Sequence, residues 1–296
     1  MATIFWAGDS TVQYNDILTF PQTGIGQVMN LFLKPEVRVE NHAKNGRSTK
    51  SFIDESRLTP IYDKITAGDF LFIQFGHNDE KKNDPQRYTD PYSDYMVNLE
   101  KFVNAARNKG AWPVFITPLE RRCFIDEEHL DIGEHTDYVA AMKQTAENLN
   151  VPLIDLYSMS RAEMRKAGAE KTKEWYMHLP AGVYPSHMDG LTDNTHLKYM
   201  GAVVYAGCIA RGLKELGGVG ALINKEEKIL LKPNLLKKAE VEKAVITHPA
   251  VVGAFARILR EEGYENIVLA DSCGHGTTKQ VIQGTGMDTC LEKYQI

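Results

Sequence analysis

The sequence predicts an α/β protein, a three-layer α/β/α domain on a five-stranded parallel sheet followed by a small, incomplete βαβ segment. Three observations carry that expectation. Five short apolar runs alternate with amphipathic stretches up to about residue 216. The runs are hydrophobic nearly throughout, as strands buried on both faces are. After Gly217-Gly218 a strand–helix–strand pattern begins again. Strands alternating with helices imply a parallel sheet covered on both sides, with any site beyond the carboxyl ends of the strands.

The strands are expected at residues 3–7, 37–42, 69–75, 113–117 and 152–156, and the helices at 24–33, 92–108, 135–148 and 198–216. Within 92–108, Tyr95, Leu99, Phe102, Val103 and Ala106 recur every three or four positions, and Lys109-Gly110 closes the helix. A helical stretch at 160–173 leads into a loop rich in Pro, Gly, Tyr and His over 179–187, suited to shaping a cleft. Past residue 218 a strand at 228–231, a helix at 249–262 ended by Gly263 and a strand at 266–270 form the appended unit. The expected domains are therefore 1–218 and 219–296.

Composition excludes several classes. With 25% charged and 43% hydrophobic residues and a net charge of −5, neither nucleic acid nor an anionic membrane is an expected partner. The eight lysines and arginines from Lys225 to Arg260 are interleaved with acidic residues and read as a solvated helical face. No apolar run reaches the roughly 18 residues of a membrane span. Met1-Ala2-Thr3-Ile4-Phe5-Trp6 runs straight into the first strand, so no secretory signal is expected. Cys123, Cys208, Cys273 and Cys290 are widely spaced, which supports neither a metal cluster nor a disulfide framework. A cytoplasmic location is expected.

Four short segments carry chemistry: Gly8-Asp9-Ser10-Thr11, Asn45-Gly46-Arg47, Gly76-His77-Asn78-Asp79 and Asp193-Asn194-Thr195-His196. Each supplies something that ester hydrolysis needs, namely a nucleophile, donors for an oxyanion, and a base with its orienting carboxylate. A Gly-Asp-Ser triplet alone is usually a turn, and a lone Asp-x-x-His is usually a surface loop. Ser10, Gly46 and Asn78 each follow one of the first three strands, so the fold itself gathers them.

Together the four blocks resemble the SGNH (GDSL-type) hydrolases. Lys44-Asn45-Gly46-Arg47-Ser48-Thr49, Ile73-Gln74-Phe75-Gly76-His77-Asn78-Asp79 and Asp193-Asn194-Thr195-His196-Leu197, with Gly201-Ala202 following, are most similar to the rhamnogalacturonan acetylesterase group. The resemblance covers residues 2 to 216 and implies a flavodoxin-like arrangement of the layers. It implies Ser10 as nucleophile, His196 as base and Asp193 as its orienting partner. The oxyanion donors would be the backbone N–H groups of Ser10 and Gly46 and the side-chain amide of Asn78. Glycine suits its position because no Cβ blocks the approach of substrate.

Other candidates read as structural. Asp9 stabilises the turn, and His77 and Asp79 support the third block. His187 and Asp189 could join Asp193 and His196 around a metal, but the triad already uses two of those four, so no metal and no cofactor is expected. Gly274 and Gly276 resemble a phosphate-binding turn only faintly and read as ordinary turn residues. The leading expectation is a serine esterase acting on acetylated, pectin-derived oligosaccharide. A lipase or acyl-thioesterase, or a non-catalytic binding protein, are the alternatives.

Within 219–296, Ile229-Leu230-Leu231-Lys232-Pro233-Asn234-Leu235-Leu236, Thr247-His248-Pro249 and Ala270-Asp271-Ser272 resemble the start of an uncharacterised bacterial domain family often found beside ferredoxin-like iron–sulfur modules. About 80 residues match, so an incomplete appended domain is expected.

Overall fold

Five parallel strands lie in the order β2-β1-β3-β4-β5: β1 (Thr3–Gly8), β2 (Arg38–Asn41), β3 (Phe70–Gln74), β4 (Trp112–Ile116) and β5 (Leu153–Ile154). This is the doubly wound order that the alternating pattern implies. The computed structural model describes residues 2–127, 129–131, 135–216, 228–239, 243, 245–261, 263–274 and 276–296. The chain divides into two units, Met1–Leu216 and Gly217–Ile296.

Successive side chains of a strand point to opposite faces, and both faces of this sheet are buried. On one face Trp6, Phe72, Ile116 and Ile154 share a core with Tyr205, Ala206 and Ile209 of α7 (Tyr199–Glu215). On the other, Phe5, Leu71, Ile73 and Phe115 share a core with Leu99, Phe102 and Val103 of α4 (Asp94–Arg107) and with Met142 and Ala146 of α5 (Thr136–Leu149). The apolar stripe expected in 92–108 is thus the buried face of α4. Burying such side chains stabilises by about 1.5–3 kcal/mol each, which is why the layers form at all.

Several elements depart from the sequence pattern. The helix expected at 24–33 is a single α turn, α1 (Ile25–Val28), continued as a 3₁₀ segment, Met29–Phe32. Two short helices, α2 (Thr49–Asp54) and α3 (Thr59–Lys64), follow the second block. Helix α6 (Leu156–Thr172) begins before the expected position and is broken at Gly168, whose φ of 83° is not helical. A hairpin of β6 (Tyr176–Leu179) and β7 (Leu191–Leu197) forms a separate antiparallel pair, and β7 carries the fourth block.

In the second unit, β8 (Ile229–Leu231) and β9 (Ile267–Leu269) pair in parallel, with α8 (Pro249–Glu261) between them in sequence. Two further helices among the described residues, α9 (Thr278–Ile282) and α10 (Met287–Tyr294), follow. Leu235, Ile246, Val252, Val281 and Met287 form one small core.

Candidate active site

Ser10 sits two residues past the end of β1, on a turn that the sequence builds locally. The Asp9 carbonyl accepts from the N–H groups of Val12 (3.2 Å) and Gln13 (3.1 Å). The Asp9 carboxylate accepts from the Thr11 N–H (2.9 Å) and hydroxyl (2.8 Å). Its other oxygen lies 3.4 Å from His77 Nδ1, and both side chains are buried. Burial pushes the Asp9 carboxyl up, but His77 and Thr11 outweigh this and hold it below the usual range. Burial also drives His77 below the usual imidazole range, against the opposing pull of Asp9. Asp9 supports the turn, the structural part expected of it, and His77 of the third block packs against it.

The second block is held at the end of β1 by backbone bonds. The Lys44 N–H donates to the Gly8 carbonyl (3.0 Å), continuing the ladder from His42 and Trp6. Gly46 has φ +76°, a conformation that favours glycine, so the backbone can turn here without strain. The third block then clasps the second. Asn78 Nδ2 donates to the Arg47 carbonyl (3.1 Å), and Asp79 accepts from the Thr49 N–H (3.0 Å). Among the described residues, the backbone N–H groups of Ser10 and Gly46 have no acceptor within the chain.

His196 Nε2 lies 2.9 Å from Ser10 Oγ, and His196 Nδ1 lies 2.6 Å from Asp193 Oδ2. Asp193 and His196 are three residues apart, so a regular strand would point them to opposite faces. A bulge resolves this. Tyr176 pairs with Leu197 and His178 with Thr192, so two steps along β6 match five along β7. The looped-out residues turn back on Asp193, whose Oδ1 accepts from the N–H groups of Thr195 (2.7 Å) and His196 (3.1 Å). An Asp-x-x-His is usually a surface loop; here the structure places it in a bulged strand. Burial pushes Asp193 up, but His196 and the two N–H donors prevail and hold its carboxyl down at about 2.

Residues after β4 brace the bulge, and sequence reasoning missed them. The Arg122 N–H donates to the Asn194 carbonyl (2.8 Å), and Arg121 Nε donates to Thr195 Oγ1 (3.1 Å). Arg121 is held by Glu80, one residue past the third block (2.5 Å). His187 bonds its neighbour Ser186 (2.9 Å). Among the described residues no group of three or more His, Cys, Asp or Glu is arranged to hold a metal, so His187 and Asp189 do not join Asp193 and His196 in one. A hydroxyl, an imidazole and a carboxylate in series can shift a proton off the hydroxyl as it attacks a carbonyl.

Comparison with known proteins gives the same picture at the level of families. A model described as the GDSL-like Lipase/Acylhydrolase family matches residues 7–187, and one described as Domain of unknown function (DUF362) matches residues 229–296. Rhamnogalacturonan acetylesterase RhgT of Bacillus subtilis (strain 168) is 42% identical over 216 residues, spanning 72% of this chain and 90% of the relative. The probable rhamnogalacturonan acetylesterase YesY of the same strain is 43% identical over 215 residues, spanning 72% of this chain and 93% of the relative. Among solved structures, protein YXIM_BACsu of Bacillus subtilis is similar with a TM-score of 0.61 at 26% identity, over 74% of this chain and 58% of that one. Among the described residues no helix is long and apolar enough to cross a membrane.

Proposed function

Because the chain belongs to the GDSL-like lipase/acylhydrolase family and is a carboxylic ester hydrolase, we propose that it removes acetyl groups from carbohydrate, in particular from rhamnogalacturonan-derived oligosaccharides. The series Asp193–His196–Ser10 carries this reading. Ser10 Oγ attacks the ester carbonyl while His196 Nε2 takes its proton. The N–H groups of Ser10 and Gly46 and the Asn78 amide receive the oxyanion. As the intermediate collapses, the sugar oxygen leaves with the proton from His196, and acetyl remains on Ser10. Water, activated by the same imidazole, then releases acetate and restores the serine.

The substrate class rests on the relatives named as rhamnogalacturonan acetylesterases. A wide cleft of about 1260 Å³ follows the third block; it is lined by Lys81, Arg87, Tyr88 and Tyr92 among others and not by Ser10, Asp193 or His196 themselves, and such side chains suit sugar hydroxyls. One observation favours a longer acyl chain or a lipid ester. Ile17, Leu18 and Phe20, on the loop after Ser10, are well exposed. We assign residues 1–218 as the esterase domain and 219–296 as an appended unit. None of the four cysteines is in a disulfide, which supports action in the cytoplasm on imported oligosaccharide.

The test is a panel of acetylated rhamnogalacturonan and xylan oligosaccharides set against p-nitrophenyl esters from acetate to octanoate. Acetate release from the oligosaccharides should be fastest, and rates should fall steeply with acyl length. Octanoyl esters turning over faster than acetyl esters would transfer the chain to the lipase reading.

A further inference from the structure

Arg87 belongs to a charged loop that no motif singles out, yet its guanidinium reaches Asn78 of the third block and faces the open side of Gly46 in the second. Its Nη1 lies 3.4 Å from Asn78 Oδ1, and 3.7 Å from the position a Cβ would take on Gly46. Asp84 fixes it from behind. Arg87 Nε donates to the Asp84 carboxylate (2.5 Å), and the Arg87 N–H donates to the Asp84 carbonyl (3.0 Å). The side chain lines the cleft and is about a third exposed.

We infer that Arg87 is a positioning residue for the oxyanion donors, fixing which way the Asn78 amide faces and strengthening it as a donor. The inference rests on the reading above, in which Asn78 donates to the oxyanion. An amide has two near-equivalent orientations, and only one presents N–H to a developing negative charge. Two contacts select the same one. In the observed orientation Nδ2 donates one hydrogen to the Arg47 carbonyl, and Oδ1 accepts from the Arg87 guanidinium. The reverse orientation would set carbonyl against carbonyl and N–H against N–H at the same two places. The second Nδ2 hydrogen is then left for the substrate. The positive charge 3.4 Å from Oδ1 also polarises the amide, modestly at that length. Asp84 stops the guanidinium from swinging away into the cleft, so the donor is set before substrate arrives.

The test is a double-mutant cycle of Arg87→Met and Asn78→Ala on p-nitrophenyl acetate, with kcat and KM measured separately and folding checked by circular dichroism. Arg87→Met should lower kcat by about 2- to 10-fold, as loss of one long hydrogen bond implies, with KM changed less than twofold. Asn78→Ala should lower kcat by about 10²- to 10³-fold. Adding Arg87→Met to Asn78→Ala should cost nothing more, because the group that Arg87 orients is gone. Arg87→Lys should recover part of the loss, and guanidinium ion at tens of millimolar should partly rescue Arg87→Ala. Equal losses from Arg87→Met in both backgrounds, or a loss confined to KM, would overturn the inference while leaving the serine mechanism standing. Full activity in Asn78→Ala would remove the oxyanion assignment and this inference with it, and inactivity of Ser10→Ala alongside it would still uphold the nucleophile.

Discussion

Asp79 accepts hydrogen bonds from both the backbone N–H (3.0 Å) and the hydroxyl (2.5 Å) of Thr49, tying two sequence blocks thirty residues apart. Thr89 donates a third (2.9 Å). With Asn78 bonded to the Arg47 carbonyl, the loops after β2 and β3 are tied together at more than one point.

That tie has a pH signature. Burial dominates at Asp79 and raises its carboxyl to about 7, despite the donors of Thr49 and Thr89. The folded protein therefore keeps a proton that the unfolded chain gives up near pH 4. The contribution of this group to stability is full below that value and declines as pH rises toward 7. Asp79→Asn should remove the decline. The melting temperature of the variant minus that of the parent should become more positive from pH 4 to pH 8, and a flat difference would contradict the assignment.

Asp193 behaves in the opposite sense. Its carboxyl is held down at about 2 by His196 and two backbone donors, which outweigh its burial. It stays ionised at every pH where an esterase assay is practical. Its contribution to stability is present above about pH 4 and lost as pH falls through 2. Asp193→Asn should therefore lower kcat by about 10²- to 10⁴-fold, because the amide no longer stabilises the charged imidazole or selects its tautomer. The Tm difference between parent and variant should shrink as pH falls from 4 toward 2. A variant within tenfold of the parent rate would show that His196 needs no partner.

Residues 219–296 should be dispensable for turnover. The relay, the proposed donors and the braces Arg121 and Arg122 all belong to the first unit, and α7 covers the sheet face that ends it. Truncation at Gly218 should leave the rate per active site unchanged within a few-fold, measured after active-site titration. A truncated protein that is folded by circular dichroism but has lost most of its turnover would show that the second unit contributes to the site.

Much of this architecture was legible because the relevant physics is local. Apolar runs such as Leu71–Ile73 mark doubly buried strands, and the strand ends then locate Ser10, Gly46 and Asn78. Helices α2 and α3 escaped notice because six residues do not complete two turns of periodicity. Strand β7 escaped because Asp193 and Asn194 are poor strand formers, and pairing with β6 rather than propensity extends them. Arg87, Arg121 and Arg122 were invisible for another reason. A charged loop looks solvated until tertiary structure lays it against a carbonyl or an amide.

The central claim is that Ser10 is the nucleophile, and covalent trapping measures it most directly. A serine-directed phosphonate, followed by intact-mass and peptide mass spectrometry, should add one label per chain, on Ser10, with activity lost in proportion. The Ser10→Ala protein should be folded, inactive and unlabelled. Label on another residue, or turnover surviving in Ser10→Ala, would contradict the account.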